Sequence, residues 1–223
     1  MPSTDPVGIP PASAPPAYGR HAAQYDSRTA GFEAYRRRVI DRLSPSAGDV
    51  VVDVGCGTGL CFEGLLDRVG PTGTVVGVEP AAPMRALAAE RVAERGWTNV
   101  VLIGSPVEQA DLPVVDHALF CAVHDVLQST PGVEHVLAHV RDGGGVAATG
   151  GKWAPPWAVA VNAGVLTAHA PFVQDFAGFD RPWQPLAERV PGLEVEEVAW
   201  GGGYLAWGTV HHGQVSADRG TPG

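Results

Sequence analysis

Val50-Val51-Val52-Asp53-Val54 is followed at once by glycines at 55, 57 and 59. A continuous β-branched run is what a parallel strand covered on both faces requires. Alternate glycines then allow positive φ and leave backbone amides bare, with no Cβ between them and a ligand. A helical stretch over 60–69 follows, so the chain contains a strand, a glycine turn and a helix in succession. That turn lies at the carboxyl end of a strand, where open α/β sheets bind their ligands.

The unit recurs. Strands are predicted over 74–78, 99–103 and 114–121, the last with Asp116 near its start, and helices over 81–95, with Pro83 in the first turn, and 133–140. Gly143-Gly144-Gly145 reads as a turn before a fifth strand over 146–149. Upstream, Phe32, Tyr35, Val39 and Leu43 recur at helical spacing within 31–43, with Arg36, Arg37 and Arg38 on another face. Past residue 149 the alternation stops: two proline-rich loops enclose an apolar helix over 158–168, and segments 194–200 and 204–211 flank Gly201-Gly202-Gly203 as an antiparallel hairpin. The expected fold is α/β, a Rossmann-like three-layer α/β/α sandwich. Its seven-stranded sheet is mostly parallel and ends in an antiparallel C-terminal hairpin strand.

Composition excludes several classes. The 223 residues include 29 glycines and 20 prolines, yet 45% of the chain is hydrophobic, enough to bury a core. Acidic residues outnumber basic ones by 24 to 15, a net charge of −9, opposite to the basic surface of a nucleic-acid binder. No uncharged apolar run reaches about 18 residues, so stable membrane insertion is not expected. Cys56, Cys61 and Cys121 are an odd number without framework spacing, which points to reduced thiols and a cytoplasmic location. Residues 1–19 hold six prolines and lack an apolar stretch behind a basic start, so they read as a disordered leader and not as a signal peptide.

Two carboxylates sharpen the glycine loop. Glu79, at the end of the second strand, occupies the place from which a carboxylate accepts hydrogen bonds from both hydroxyls of an adenosine ribose. Asp53 precedes the loop; a carboxylate there repels a pyrophosphate and attracts an ammonium group. The third glycine also comes one residue too early for the dinucleotide-binding spacing. Residues 51–60 and the segment Val75-Val76-Gly77-Val78-Glu79-Pro80 resemble the first two motifs of class I S-adenosylmethionine-dependent methyltransferases. The likeness extends over about 20–210, in the style of the ubiquinone/menaquinone and small-metabolite branch. Gly96-Trp97-Thr98-Asn99-Val100 and Arg181-Pro182-Trp183 are also similar to segments of bacterial phospholipid N-methyltransferases.

The resemblance implies a cofactor, S-adenosylmethionine, leaving as S-adenosylhomocysteine. Asp53, Gly55, Cys56, Gly57 and Gly59 would hold its methionine portion, Glu79 its ribose, and Pro80 with Ala81 its adenine. The position after the third strand that is usually acidic holds Ser105, followed by Pro106, Val107 and Glu108, so either Ser105 or Glu108 serves the adenine amino group. Cys121 ends the fourth strand beside the cofactor. Tyr18 and Tyr25 lie in the segment that covers the cofactor in related enzymes; Tyr25, the better placed, either bonds the carboxylate end or packs.

On the acceptor side, His124 is a base or an orienting group, and Asp125 caps the next helix. Trp153, Trp157, Phe172 and Phe176 would line an apolar pocket, with His169 and Asp175 as its polar contacts. The resulting domain covers 20–213, with lid helices at 20–43, a variable acceptor region at 150–185 and a flexible tail at 214–223. No metal is expected, because His135 and His139 have zinc spacing but no third ligand. The signatures of DNA amino-methylating and protein arginine enzymes are missing, which leaves a small-molecule acceptor methylated by metal-independent direct displacement. A catalytically inactive cofactor-binding partner protein, a phospholipid N-methyltransferase, and an isomerase or cyclase exploiting the sulfonium charge are the alternatives. Either a monomer or a homodimer is compatible with the sequence.

Overall fold

In the computed structural model, residue 26 and residues 29–173 and 175–213 are described. Tyr18, Tyr25, the leader 1–19 and the tail 214–223 lie outside them. The β-branched run forms β1 (Val50–Val54), which pairs in parallel with β2 (Thr74–Val78) from Val50↔Thr74 to Val54↔Val78. On its other side β1 pairs in parallel with β4 (Val115–Cys121). β3 (Val100–Ile103) lies outside β2, and β5 (Val140–Gly151) lies outside β4. β7 (Gly203–Thr209) runs antiparallel to β5, and β6 (Glu194–Val198) forms the edge, giving the order β3-β2-β1-β4-β5-β7-β6. The chain leaves β1 toward β2 on one side and returns to β4 on the other, which opens a crevice above the carboxyl end of β1.

Among the described residues seven helices flank the sheet: α1 (Glu33–Leu43), α2 (Phe62–Val69), α3 (Ala82–Arg95), α4 (His124–Gln128), α5 (Thr130–His139), α6 (Val159–His169) and α7 (Gln184–Ala187). Successive strand residues face opposite sides. Val51, Val75 and Leu119 accordingly pack with Val39 and Leu43 of α1 and Phe62 and Leu65 of α2, while Val52, Val76 and Phe120 pack with Val133 and Val136 of α5 and Leu186 of α7. This is the expected three-layer sandwich. Among the described residues no helix is long and apolar enough to cross a membrane.

Three local expectations are corrected. Gly143-Gly144-Gly145 is not a turn ahead of β5: the strand starts at Val140, directly after α5, and absorbs the triplet as a bulge, with Val115 opposite Val140 but His117 already opposite Gly145. The bulge is stable because its backbone is paired, Gly143 N–H donating to the Val210 carbonyl and Val210 N–H to that of Gly144, both at 2.8 Å. Asp125 does not cap; Ser129 does, its Oγ accepting from Gly132 N–H at the start of α5. Arg36 does not lie on a solvent face with Arg37 and Arg38. It is 5% exposed and belongs to the inner face of α1 with Val39, Ile40 and Leu43.

Lys152, the only lysine, is buried just past β5, where Nζ donates to the carbonyls of Trp153 (2.8 Å) and Gly201 (3.2 Å) and pairs with Glu197 at 3.0 Å. It ties the end of β5 to the link between β6 and β7. Lys152→Met is expected to leave these carbonyls unsatisfied at about 2 kcal/mol, a fall in thermal midpoint of roughly 4–8 °C. A melting curve checks this, and an unchanged midpoint would show that the tie is not needed.

Candidate active site

The glycine loop closes the carboxyl end of β1 with Gly55, Gly57 and Gly59 at φ of 63°, 56° and 79°. Side chains are also excluded by space: a Cβ at Gly55 would come within 2.5 Å of Val123 Cγ1, and one at Gly59 within 2.6 Å of the Phe62 ring. Cys56 N–H donates to the Val78 carbonyl at 3.0 Å. The Cys56 side chain turns away from the loop, its Sγ filling the space that Gly77 leaves open, so only its backbone faces the crevice.

Glu79 does more than close β2. Its Oε2 accepts Gly57 N–H at 3.0 Å and its Oε1 accepts Ala81 N–H at 2.7 Å, so one buried carboxylate clamps the glycine loop to the neighbouring strand end. Burial raises its pKa, and the two amides act against that shift. Each oxygen keeps a lone pair for a further donor. Arg85 strengthens the corner, with Nη1 donating to the carbonyls of Glu79 (2.7 Å) and Pro80 (3.3 Å) and its guanidinium lying over Gly104. Beyond β3, Ser105 and Pro106 are half-buried and Val107 is buried. Glu108 is engaged elsewhere, accepting from Ser129 Oγ at 2.6 Å.

Asp53 is 1% exposed, and its Oδ2 has no hydrogen-bond partner among the described residues. Burial pushes its pKa up to about 7, with Arg36 pulling downward and Glu79 adding to the rise. A buried carboxylate oxygen in this state demands a donor. Arg36, whose Nη1 donates to Glu33 Oε2 at 2.6 Å, approaches Asp53 from α1 closely enough for its charge to act on the carboxylate. An orphaned carboxylate oxygen and a buried cation thus lie near one another, an arrangement complementary to a zwitterion.

Arg36 also lines a cavity of about 510 Å³ above the ends of β4 and β5. Phe32 and Arg36, the residues 122–125, Thr149, Gly150, Gly151, His169, Phe172, Phe179 and Tyr204 line it. His124 Nε2–H donates to the Ala177 carbonyl at 3.0 Å, while its Nδ1 is buried without a partner among the described residues. His169 Nδ1–H donates to the Val165 carbonyl at 2.8 Å. Both rings meet Phe179 edge-on, at 4.8 and 5.4 Å between centroids, and burial lowers both pKa values.

Of the other predicted residues, Phe172 reaches the cavity. Trp153 stands behind it, stacked on Phe176 at 5.2 Å and edge-on to Phe179. Trp157 does not reach it: Pro155-Pro156 turn the chain outward and leave its indole 82% exposed. Cys121 is half-buried at the end of β4, against the Cys61 thiol. His135 and His139 bond the carbonyls of Ala110 and His135, each at 2.8 Å. Sequence reasoning missed Arg36 and Tyr204. Arg36 lies three, four and seven residues before Val39, Ile40 and Leu43, so helical periodicity held the signal although its charge argued against burial. Tyr204 reaches the cavity only through the long-range pairing of Gly150 with Tyr204, for which the sequence carries no local sign.

Residues 51–144 match a family described as a methyltransferase domain. The chain is 40% identical over 97 residues to nocamycin O-methyltransferase of Saccharothrix syringae, covering 42% of this chain and 34% of that protein. It is 30% identical over 132 residues to aklanonic acid methyltransferase of Streptomyces sp. (strain C5), covering 58% and 60%. The matched segments thus span between about a third and three-fifths of these curated relatives. The fold superposes on the crystal structure of an S-adenosylmethionine-dependent methyltransferase from Aquifex aeolicus with a TM-score of 0.63, at 19% identity and coverage of 86% of this chain and 98% of that one. Strand order and glycine loop thus give the chain the Rossmann-like fold seen in that structure, and residues 51–144 are similar in sequence to a methyltransferase domain.

Proposed function

We propose that the chain transfers a methyl group from S-adenosylmethionine to a small molecule with an apolar body, by direct displacement without a metal. The observation that carries this reading is the orphaned Oδ2 of buried Asp53 opposite buried Arg36, beside the loop clamped by Glu79. Asp53 would take the ammonium of the methionine portion and Arg36 its carboxylate. The amides of the loop 55–59 would approach the same portion, with the end of β4 at Cys121 alongside. The spare lone pairs of Glu79 would take the ribose hydroxyls, and Pro80, Ala81, Ser105, Pro106 and Val107 would flank the adenine. The bound cofactor supplies an electrophilic methyl group on sulfur. The chain's own part is to hold the acceptor in line with that methyl and to keep water out, which the apolar walls at Phe32, Phe172 and Phe179 favour. His124, bonded to Ala177, would hold the acceptor-side segment in place. The small-molecule acceptors named for the two curated relatives support the same substrate class.

Incubation of the protein with methyl-labelled S-adenosylmethionine and fractionated small-molecule extracts is expected to move label into an organic-soluble product. Cofactor binding without transfer to any fraction would favour the inactive binding protein instead.

Cofactor affinity should also depend on pH. The ammonium requires Asp53 as a carboxylate, and Asp53 in the free protein titrates at about 7. Each pH unit below 7 therefore requires a proton to leave on binding and weakens affinity by about tenfold. Glu79, raised by burial, acts in the same direction. Above about 8 the ligand's own amine loses its proton and the gain ends. Asp53→Asn should lower affinity and flatten the slope; equal affinity for the wild type at pH 5.5 and 7.5 would remove Asp53 from this role.

A further inference from the structure

We infer that the methyl acceptor presents a weakly acidic hydroxyl, phenolic or enolic, and that Nε2 of His169 takes its proton. The inference rests on the methyltransferase reading and adds to it the acceptor class and the base. A base in this cavity needs a lone pair that is fixed in direction, open to the cavity and attached to a group that is neutral before reaction.

His169 meets these conditions. A carbonyl oxygen only accepts, so the 2.8 Å contact with Val165 O puts the ring proton on Nδ1 and leaves Nε2 as the bare nitrogen. Nε2 takes no hydrogen bond from a described residue. The ring cannot turn freely, because Phe179 meets it edge-on at 5.4 Å. Its helix is anchored at both ends: Asn162 exchanges hydrogen bonds with Ala154 at 2.9 and 3.2 Å, and the amides of Phe172 and Val173 donate to the His169 carbonyl at 2.8 Å. Gly151 completes the arrangement, since a Cβ at this position would overlap Nε2 itself. The last residue of β5 is thus bare where the imidazole lies across the strand end. Desolvation keeps the ring neutral and ready to accept a proton.

The other titratable groups on the cavity serve less well. His124 has one nitrogen bonded to Ala177 and the other shut away from the cavity. Burial holds the Tyr204 hydroxyl protonated, Arg36 is a cation, and Asp125 is exposed to water at the start of α4. A neutral base between Phe172 and Phe179 suits an O–H acidic enough to yield its proton as the new bond forms. An aliphatic amine would reach the same space as an ammonium ion beside the Arg36 charge, and an arylamine, although neutral, has an N–H too weakly acidic for this base to take. In the step, the acceptor oxygen bonds to the methyl carbon as the sulfur–carbon bond breaks, and that bonding pair remains on sulfur as a neutral thioether. The hydroxyl proton passes to His169 Nε2, and the resulting imidazolium returns it to water.

2-Naphthol, naphthalene and 2-naphthylamine are suitable probes with the full chain, after cofactor binding has been measured separately for each variant. With S-adenosylhomocysteine bound, 2-naphthol is expected to bind at least tenfold more tightly than naphthalene, and with S-adenosylmethionine it should give 2-methoxynaphthalene in preference to any N-methyl product. His169→Phe, which keeps an aromatic ring against Phe179, should abolish the tenfold preference and reduce O-methylation at least a hundredfold while cofactor affinity stays within threefold. Gly151→Ala, which displaces the imidazole without removing it, should do the same to a lesser degree. Equal binding of 2-naphthol and naphthalene, preferred methylation of the amine, or full O-methylation by His169→Phe would overturn the assignment, as would failure of 2-naphthol to bind at all. If no variant and no wild-type sample binds the cofactor, the methyltransferase reading itself fails, a result distinct from all of these.

Discussion

Glu79→Ala is expected to weaken S-adenosylmethionine and S-adenosylhomocysteine at least a hundredfold, about 2.7 kcal/mol. The size follows from two losses at one residue. The carboxylate holds Gly57 and Ala81 by their amides at 3.0 and 2.7 Å, so its removal frees the glycine loop from the end of β2. It also removes the acceptors proposed for the ribose hydroxyls, and each hydrogen bond to a charged group contributes about 1.5–3 kcal/mol. Glu79→Gln should fall between wild type and alanine, because it keeps one acceptor oxygen but sets an NH₂ group against a backbone N–H. Equilibrium dialysis with labelled S-adenosylhomocysteine measures the change, and a thermal melt reports whether the fold survives. Unaltered affinity in Glu79→Ala would separate Glu79 from ligand binding.

The largest effect on stability is expected at Phe62. This ring is fully buried at the start of α2 and supports the glycine loop from below: it fills the space left by both Gly59 and Gly77, where an added Cβ would approach it to 2.6 and 2.8 Å. Truncating a buried phenylalanine to alanine costs about 3–5 kcal/mol. For a domain of this size, Phe62→Ala should lower the thermal midpoint by roughly 6–20 °C. It should weaken the cofactor as well, since Gly59 then loses its support. Phe62→Leu should recover most of the stability. A midpoint shift below about 3 °C in the alanine variant would contradict the packing described for this corner.

What the sequence made legible was local. The β-branched run, the three glycines and the helix after them are contiguous, and each βα unit repeats their logic, so strand order and the crevice follow from short-range pattern and handedness. Asp53 and Glu79 were legible for the same reason, being fixed relative to strand ends that the pattern locates. Side-chain direction across the fold was less accessible. Arg36 shares the inner stripe of α1 with Val39, Ile40 and Leu43, yet its charge suggested the solvent face; the nearby carboxylates of Glu33 and Asp53 explain why a guanidinium is tolerated there. Tyr204 depends on β7 inserting between β5 and β6, a pairing between residues more than 50 positions apart. The second task of Glu79, as a clamp on Gly57, also needed the three-dimensional register. Gly143-Gly144-Gly145 had the composition of a turn and became a bulge because the residue just past β7, Val210, pairs with it. In the acceptor region, the roles proposed for His124 and His169 rest on which ring nitrogen meets a carbonyl, a distinction that spacing along the chain does not encode.

Isothermal titration of the whole chain with S-adenosylmethionine and with S-adenosylhomocysteine at pH 7.5 tests the central claim most directly. One site per chain for each ligand, lost in Glu79→Ala and weakened in Asp53→Asn, is the predicted result; a folded wild-type protein that binds neither ligand would contradict it.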